Sequence, residues 1–199
     1  MVKFINKLME CFFKVKLEKS SKKIESKINK LQKEVTEDIE NLRYNLAIIK
    51  LRKFFEKILE ERKISKKDAE SFLKLLHPFC PHITEELWEK IGNKKLLILE
   101  KWPKPDEKKI NEMFEKQEQF VKKVGEDINN IKEIVKIKNP TAYVYAIPSD
   151  LQIIEENKEV ISTISGSIVF PYAVNDKKKY DPENKSKKVK PGKPGIYLE

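Results

Sequence analysis

A histidine and two carboxylates lie close together in Pro81-His82-Ile83-Thr84-Glu85-Glu86-Leu87-Trp88. Such side chains carry out acid–base chemistry or hold a metal ion when they converge in a pocket. Here they fall within about a helix turn and a half. Pro81 stands where a first helical residue stands, and Gly92 just past the end. Glu85 and Glu86 lie near the positive end of that helix, where carboxylates are favoured. Ile83, Leu87 and Ile91 share one face, with Trp88 beside them. The segment therefore reads as architecture, with no catalytic group and no metal expected. A hydrogen bond from His82 fixing the turn that starts at Phe79 would be structural too. Cys11 and Cys80 have no paired spacing, so they form neither a zinc pattern nor a disulfide framework. Each reads as a small buried apolar group in a protein of the reducing cytoplasm.

Lysine offers a different chemistry. Residues 176–199 hold eight lysines against Asp176, Asp181, Glu183 and Glu199, for +4, and residues 1–35 hold ten lysines against four glutamates, for +6. These two ends account for the net charge of +10. Basic ends suit a polyanion such as RNA, because each phosphate contact releases condensed counterions. The bland alternative is a lysine-rich composition in which lysine only solubilises. In the tail, Lys185, Lys187, Lys188, Lys190 and Lys193 can meet phosphates. Gly192 and Gly195 allow close backbone approach. Ile196 and Tyr197 either touch an unstacked base, the usual way RNA sequence is read, or pin the terminus to its own domain.

Elements must hold these residues. A chain of 199 residues suits one large domain or two small ones. Charged residues make up 37% and apolar ones 39%, enough for a helix-rich fold with a core. No run approaches the roughly 20 apolar residues of a membrane span, and the lysine-interrupted start is no secretion signal. Residues 1–17 read as a short helix carrying Phe4, Leu8 and Phe12. From Ser20, Ile24, Ile28, Leu31, Val35, Ile39 and Leu42 make one apolar stripe at helical period. Thr36, with Glu37 and Asp38 after it, can cap a fresh start, so a bend is expected there. The next helix runs to about Glu61 and buries Ala47, Ile48, Leu51, Phe54, Phe55 and Ile58. After a basic turn at 62–67, Ser65 and Asp68 have capping-box spacing, and a helix follows to about His77, ended by Pro78.

Lys101-Trp102-Pro103-Lys104-Pro105 is the best boundary, giving domains 1–104 and 105–199. A helix over about 107–135 carries Ile110, Phe114, Val121, Ile128, Ile131 and Val135, with Gly125 as a tolerated weak spot. Thr141–Ile147 reads as a strand, Leu151 to about Ile164 as a helix, and Ser167–Val174 as a second strand. Pro171 marks an edge or a bulge. Residues 176–195 read as surface. The fold class is mainly α: a helical bundle followed by a small α/β domain.

Two stretches resemble a known family. Val35-Thr36-Glu37-Asp38-Ile39-Glu40 with Tyr44-Asn45-Leu46-Ala47-Ile48 is similar to the start of the anticodon-binding bundle of class I aminoacyl-tRNA synthetases. Pro78-Phe79-Cys80-Pro81-His82-Ile83-Thr84-Glu85-Glu86-Leu87-Trp88, with Gly92 and Trp102-Pro103, is similar to that bundle's best-known segment. The ending Glu-Glu-Leu-Trp points to leucyl and valyl members. Asp127-Ile128, Tyr143-Val144-Tyr145-Ala146, Tyr180-Asp181-Pro182-Glu183-Asn184-Lys185 and Pro191-Gly192-Lys193-Pro194-Gly195-Ile196-Tyr197-Leu198-Glu199 resemble the C-terminal domain of archaeal leucyl-tRNA synthetases. The chain departs from that pattern at Ile147-Pro148-Ser149-Asp150, where the family often has a Trp-Lys pair.

The resemblance implies a parent enzyme that attaches leucine to tRNA(Leu) using ATP and magnesium. It implies that this portion positions the tRNA body and its long variable arm, with Tyr180 joining the lysines, Ile196 and Tyr197 as contacts. The catalytic portion of the same enzyme is the expected second partner, and no membrane is expected. Lys63-Ile64-Ser65-Lys66-Lys67 is similar to the family's ATP loop, yet it falls inside the bundle and lacks the following glycine. With no glycine-rich phosphate cradle either, no cofactor is expected in this chain, which should be inactive alone. A valyl-type origin, or a stand-alone RNA-binding or assembly module, are the alternatives.

Overall fold

The structure is a computed structural model that describes residues 2–138 and 140–199. It divides into two compact units, Met1–Asn111 and Glu112–Glu199. Met1, which the first expected helix included, lies outside the described residues.

The first unit is a helical bundle. Its helices are α1 (Val2–Lys14), α2 (Lys22–Glu40), α3 (Tyr44–Glu61), α4 (Lys66–Leu76) and α5 (Pro81–Lys90). Leu8 and Phe12 of α1 are buried with Ile24, Ile28, Leu31 and Val35 of α2 and Leu51, Phe54, Phe55 and Ile58 of α3. Rings knit this core: Phe4 meets Phe55 edge-on at 5.4 Å, and Phe72 of α4 touches Phe12, Phe54 and Phe55. The expected helix over 1–17 stops at Lys14. Lys16–Leu17 is a short strand, β1, parallel to β2 (Lys63–Ile64), so the turn at 62–67 contains a strand with Ile64 fully buried.

Helix α2 runs through Thr36 without the fresh start that Thr36 could have capped. The Thr36 hydroxyl donates 2.6 Å to the Gln32 carbonyl one turn back, so it is engaged inside the helix and does not cap a new one. The helix ends after Glu40, and Leu42 has a left-handed φ of 58° and lies exposed rather than on the apolar stripe. Asp38, 1% exposed, holds this corner: Arg43 Nε lies 3.0 Å and Lys50 Nζ 2.6 Å from its oxygens. At α4 Ser65 caps the helix, its Oγ accepting the Asp68 N–H at 3.1 Å, but the reciprocal half of a capping box is taken by another residue: the Ser65 N–H donates 2.8 Å to Ser20 Oγ.

The expected boundary at 104/105 falls inside this unit. Residues 102–111 run back along a polar stripe of α2. Trp102 Nε1 donates to Thr36 Oγ1 at 2.8 Å, the Asp106 N–H to Asn29 Oδ1 at 2.8 Å, and the Asn111 N–H to Ser26 Oγ at 2.8 Å. Lys109 pairs with Glu25 at 2.5 Å.

The second unit layers three helices on a small sheet. Its helices are α6 (Met113–Val135), α7 (Pro148–Glu156) and α8 (Lys158–Ser165). Its strands are β3 (Thr141–Ala146), β4 (Ile168–Ala173) and β5 (Gly195–Leu198), in the order β4-β3-β5. The pair β3–β4 is parallel, joined through α7 and α8, and β5 is antiparallel to β3. Pro171 lies on an edge strand, as its missing N–H requires. Ala142, Val144 and Ala146 alternate toward the helices and bury against Val121, Val124 and Ile128.

Three expectations change here. Helix α6 starts at Met113, not near 107, and Val135 at its end is exposed. The expected helix 151–164 is two, broken at Asn157, whose side chain donates 2.8 Å to the Ile153 carbonyl and closes α7. Gly125 is a close-approach position rather than a weak spot: a Cβ there would lie 2.6 Å from Ile164 Cγ2 of α8.

Candidate nucleic-acid interface

The face of the sheet turned away from the helices is aromatic. Register places Tyr143 of β3 between Phe170 of β4 and Tyr197 of β5, and Tyr145 beside Tyr172. Ring centroids are 5.8 Å apart for Tyr143–Phe170, 6.3 Å for Tyr143–Tyr172 and 6.0 Å for Tyr143–Tyr197. Period-two alternation explains the segregation, because the aromatic residues occupy the odd positions of β3 and their register partners.

A strap, residues 174–194, links β4 to β5 and folds over one end of this face. Tyr180 tilts onto Tyr143 at 4.9 Å and onto Tyr197 at 6.1 Å. The hydroxyl of buried Tyr145 donates to the Tyr180 carbonyl. Opposite Tyr145 stands Gly195, where a Cβ would lie 2.6 Å from the Lys185 carbonyl oxygen. Gly195 thus serves the protein's own packing, not the approach of a ligand. Burial pushes the phenols of Tyr143, Tyr145 and Tyr180 above their ordinary range, and the Glu199 carboxylate adds to the rise at Tyr143 and Tyr180, so these phenols stay protonated at neutral pH.

The strap turns Asp181 inward and most of its lysines outward. Asp181 accepts the N–H groups of Lys185 at 2.7 Å and Ser186 at 3.0 Å. Burial raises its pKa, but hydrogen bonds from Ser186 and Lys185, with Lys179 nearby, outweigh that and hold it below the usual carboxylate range. Lys179 is spent on the carbonyls of Val174 and Asp176, and Lys185 pairs with Glu183 at 3.0 Å. Lys177, Lys178, Lys187, Lys188, Lys190 and Lys193 are exposed. Ile196 is 8% exposed on the helix side of β5, so of its two readings the structure fills the pinning one. Tyr197, its neighbour, faces the open side.

In the bundle, the side chains that suggested acid–base chemistry do not converge. His82 and Glu86 are exposed, while Glu85 points at another segment. Its Oε2 accepts the Leu97 N–H at 2.8 Å and its Oε1 the Ile98 N–H at 3.0 Å. Glu85 is past the first turn of α5, so this bond, not the helix dipole, accounts for it. Pro81 opens α5, Trp88 is buried at 4% exposed, and its Nε1 donates 2.9 Å to the Lys95 carbonyl. The turn is fixed by His77, not His82: His77 Nδ1 lies 2.8 Å from the Thr84 hydroxyl. In Lys63–Lys67, Ser65 is committed to capping α4 and Ile64 to the core. Burial pushes the Cys11 and Cys80 thiols up to about 11, which keeps both protonated at neutral pH. Among the described residues, no group of three His, Cys, Asp or Glu is placed to hold a metal, and no helix is long and apolar enough to cross a membrane.

Residues 21–147 match the family described as the anticodon-binding domain of tRNA ligase. The chain belongs to that family. Among its relatives, the leucine–tRNA ligase of Pyrococcus abyssi is 44% identical over 44% of this chain and 9% of the relative. Leucine–tRNA ligase 2 of Metallosphaera sedula is 30% identical over 70% of this chain and 16% of the relative. The Pyrococcus furiosus leucine–tRNA ligase is 49% identical over 39% of this chain and 8% of the relative. The chain therefore spans less than a fifth of the length of these relatives.

The anticodon-binding match covers α2 to α5, the 102–111 segment, α6 and β3, but neither α1 nor the strap. Sequence reasoning missed the aromatic row as a unit, because Phe170 and Tyr172 join Tyr143 only through strand register. It also missed the polar stripe Ser26, Asn29, Gln32 and Thr36, although its spacing of three and four residues is a helical period.

Proposed function

We propose that this chain is the tRNA-binding portion of a leucine–tRNA ligase of the cytoplasm. It grips the body and long variable arm of tRNA(Leu), while the catalytic portion of the same enzyme binds ATP and magnesium and attaches the leucine. Alone, the chain is inactive. The observation that carries this reading is the strap: six exposed lysines on the segment that lays Tyr180 onto the aromatic face, in a chain whose relatives carry the leucine–tRNA ligase name. Lysines bind phosphates by releasing counterions, and aromatic rings hold unstacked bases at roughly 1–3 kcal/mol per base. Tyr180, Tyr197, Lys187, Lys188, Lys190 and Lys193 are the contact residues, with Lys185 secondary because of Glu183. Fixing the tRNA body sets where its acceptor end lies, and orientation is worth several kcal/mol of barrier.

The test is the dissociation constant of the chain for leucine tRNA across a salt series. A log–log slope of about −0.7 to −0.9 per phosphate contacted is expected, with weaker binding to tRNA lacking the long arm. A flat response removes the phosphate account, and equal binding to a valine tRNA removes leucine specificity. A partner protein retained after nuclease treatment would instead favour an assembly module.

A further inference from the structure

Asp150 is the third residue of α7, and a first-turn acid is favoured there by the helix dipole alone. It also reaches across the unit. Its Oδ2 accepts the backbone N–H of Gly192 at 2.8 Å. Gly192 belongs to the turn Lys190-Pro191-Gly192-Lys193, closed by Lys193 N–H to the Lys190 carbonyl at 2.9 Å and by Lys190 N–H to the Lys193 carbonyl at 3.1 Å. Pro191 presets its own φ, and Gly192 supplies the φ of +70° that the next position demands. Lys190 and Lys193 are bridge partners, so their side chains emerge side by side, and both are exposed. Beyond its own chain neighbours, no atom lies within 4 Å of where a Gly192 Cβ would sit, so that side of the turn is open.

We propose that Lys190 and Lys193 form a two-pronged clamp on an RNA phosphodiester, and that Asp150 is its positioning residue. The proposal rests on the RNA-binding reading above. Plain electrostatics predicts the opposite sign for Asp150. A carboxylate beside two lysines weakens their pull on a polyanion, so removing it should tighten binding. As a positioning group it should do the reverse, because without it the turn loses its tie to α7.

Asp150→Asn and Asp150→Ala, made in the full chain, separate the two accounts. They have the same net charge, but only asparagine keeps an oxygen to accept the Gly192 N–H. Binding to fluorescently labelled leucine tRNA is measured across a salt series, with helix content by circular dichroism as the folding check. Asp150→Asn should bind at least as well as the wild type. Asp150→Ala should bind about 3- to 10-fold more weakly than Asp150→Asn, with a salt slope smaller by about one to two. Lys190→Gln with Lys193→Gln should then cost affinity when combined with Asp150→Asn and little when combined with Asp150→Ala. Equal affinity and slope for the two Asp150 variants would overturn the clamp while leaving the RNA reading intact. A wild-type chain without salt-dependent RNA binding would overturn both.

Discussion

Two irregular segments, one in each unit, are held in the same way and used differently. Glu85 accepts the successive N–H groups of Leu97 and Ile98, and Asp181 those of Lys185 and Ser186. Each carboxylate freezes a turn that has no ladder of its own, and satisfies donors that regular structure would otherwise pair. What the turns display differs. The first exposes Leu96, Ile98 and Leu99; the second exposes Lys187 and Lys188. A shared backbone device therefore says little about the partner. The side chains it carries decide that, and only the second set matches a polyanion.

The sharpest way to break this comparison acts on the bundle turn. Trp88→Ala removes a buried indole and its bond to the Lys95 carbonyl. It should cost about 3–5 kcal/mol in denaturant unfolding. RNA affinity per folded molecule should stay unchanged; a matching loss would place RNA contact on the bundle turn. The strap gives the converse. Lys187→Ala with Lys188→Ala should shift stability by less than about 0.5 kcal/mol. The salt slope of RNA binding should fall by about 1.4–1.8 if both meet phosphates, and an unchanged slope would remove both from the contact set.

The smallest effect concerns pH. The folded pKa of Asp181 lies below its unfolded value. Its stabilisation of the strap is therefore complete above the unfolded value and is lost as pH falls through the folded one. Hydrogen exchange at the Lys185 and Ser186 amides should show steady protection from neutral pH down to about 5 and loss below about 4. Protection that fades between about pH 7 and 5 would contradict the assignment.

Most helices were legible because their apolar residues repeat at helical period, as Ile24, Ile28, Leu31 and Val35 do. Thr36 is ambiguous for a local reason: the same hydroxyl can cap a new helix or bond back one turn, and the Trp102 indole seated on it comes from a distant stretch. Pro103 and Pro105 mark a break in regular structure, whereas the first compact unit continues to Asn111. Gly125 looked like a flaw because the Ile164 that needs its space lies on another helix. In the candidate interface, the exposed lysines were readable one by one. The burial of Ile196 and the grouping of Tyr143, Phe170 and Tyr197 follow from register, which no single stretch contains.

The central position of β3 sets an order of assembly. Its parallel partner begins soon after, with Thr141 opposite Ile168, whereas its other edge waits for Leu198 to reach Ala142. Closing the longer loop costs more chain entropy and slows pairing. The helices and β4 can therefore gather first, leaving one side of β3 unpaired until the strap has been threaded into place. The lysine-bearing segment is on this account a late-forming part of its unit.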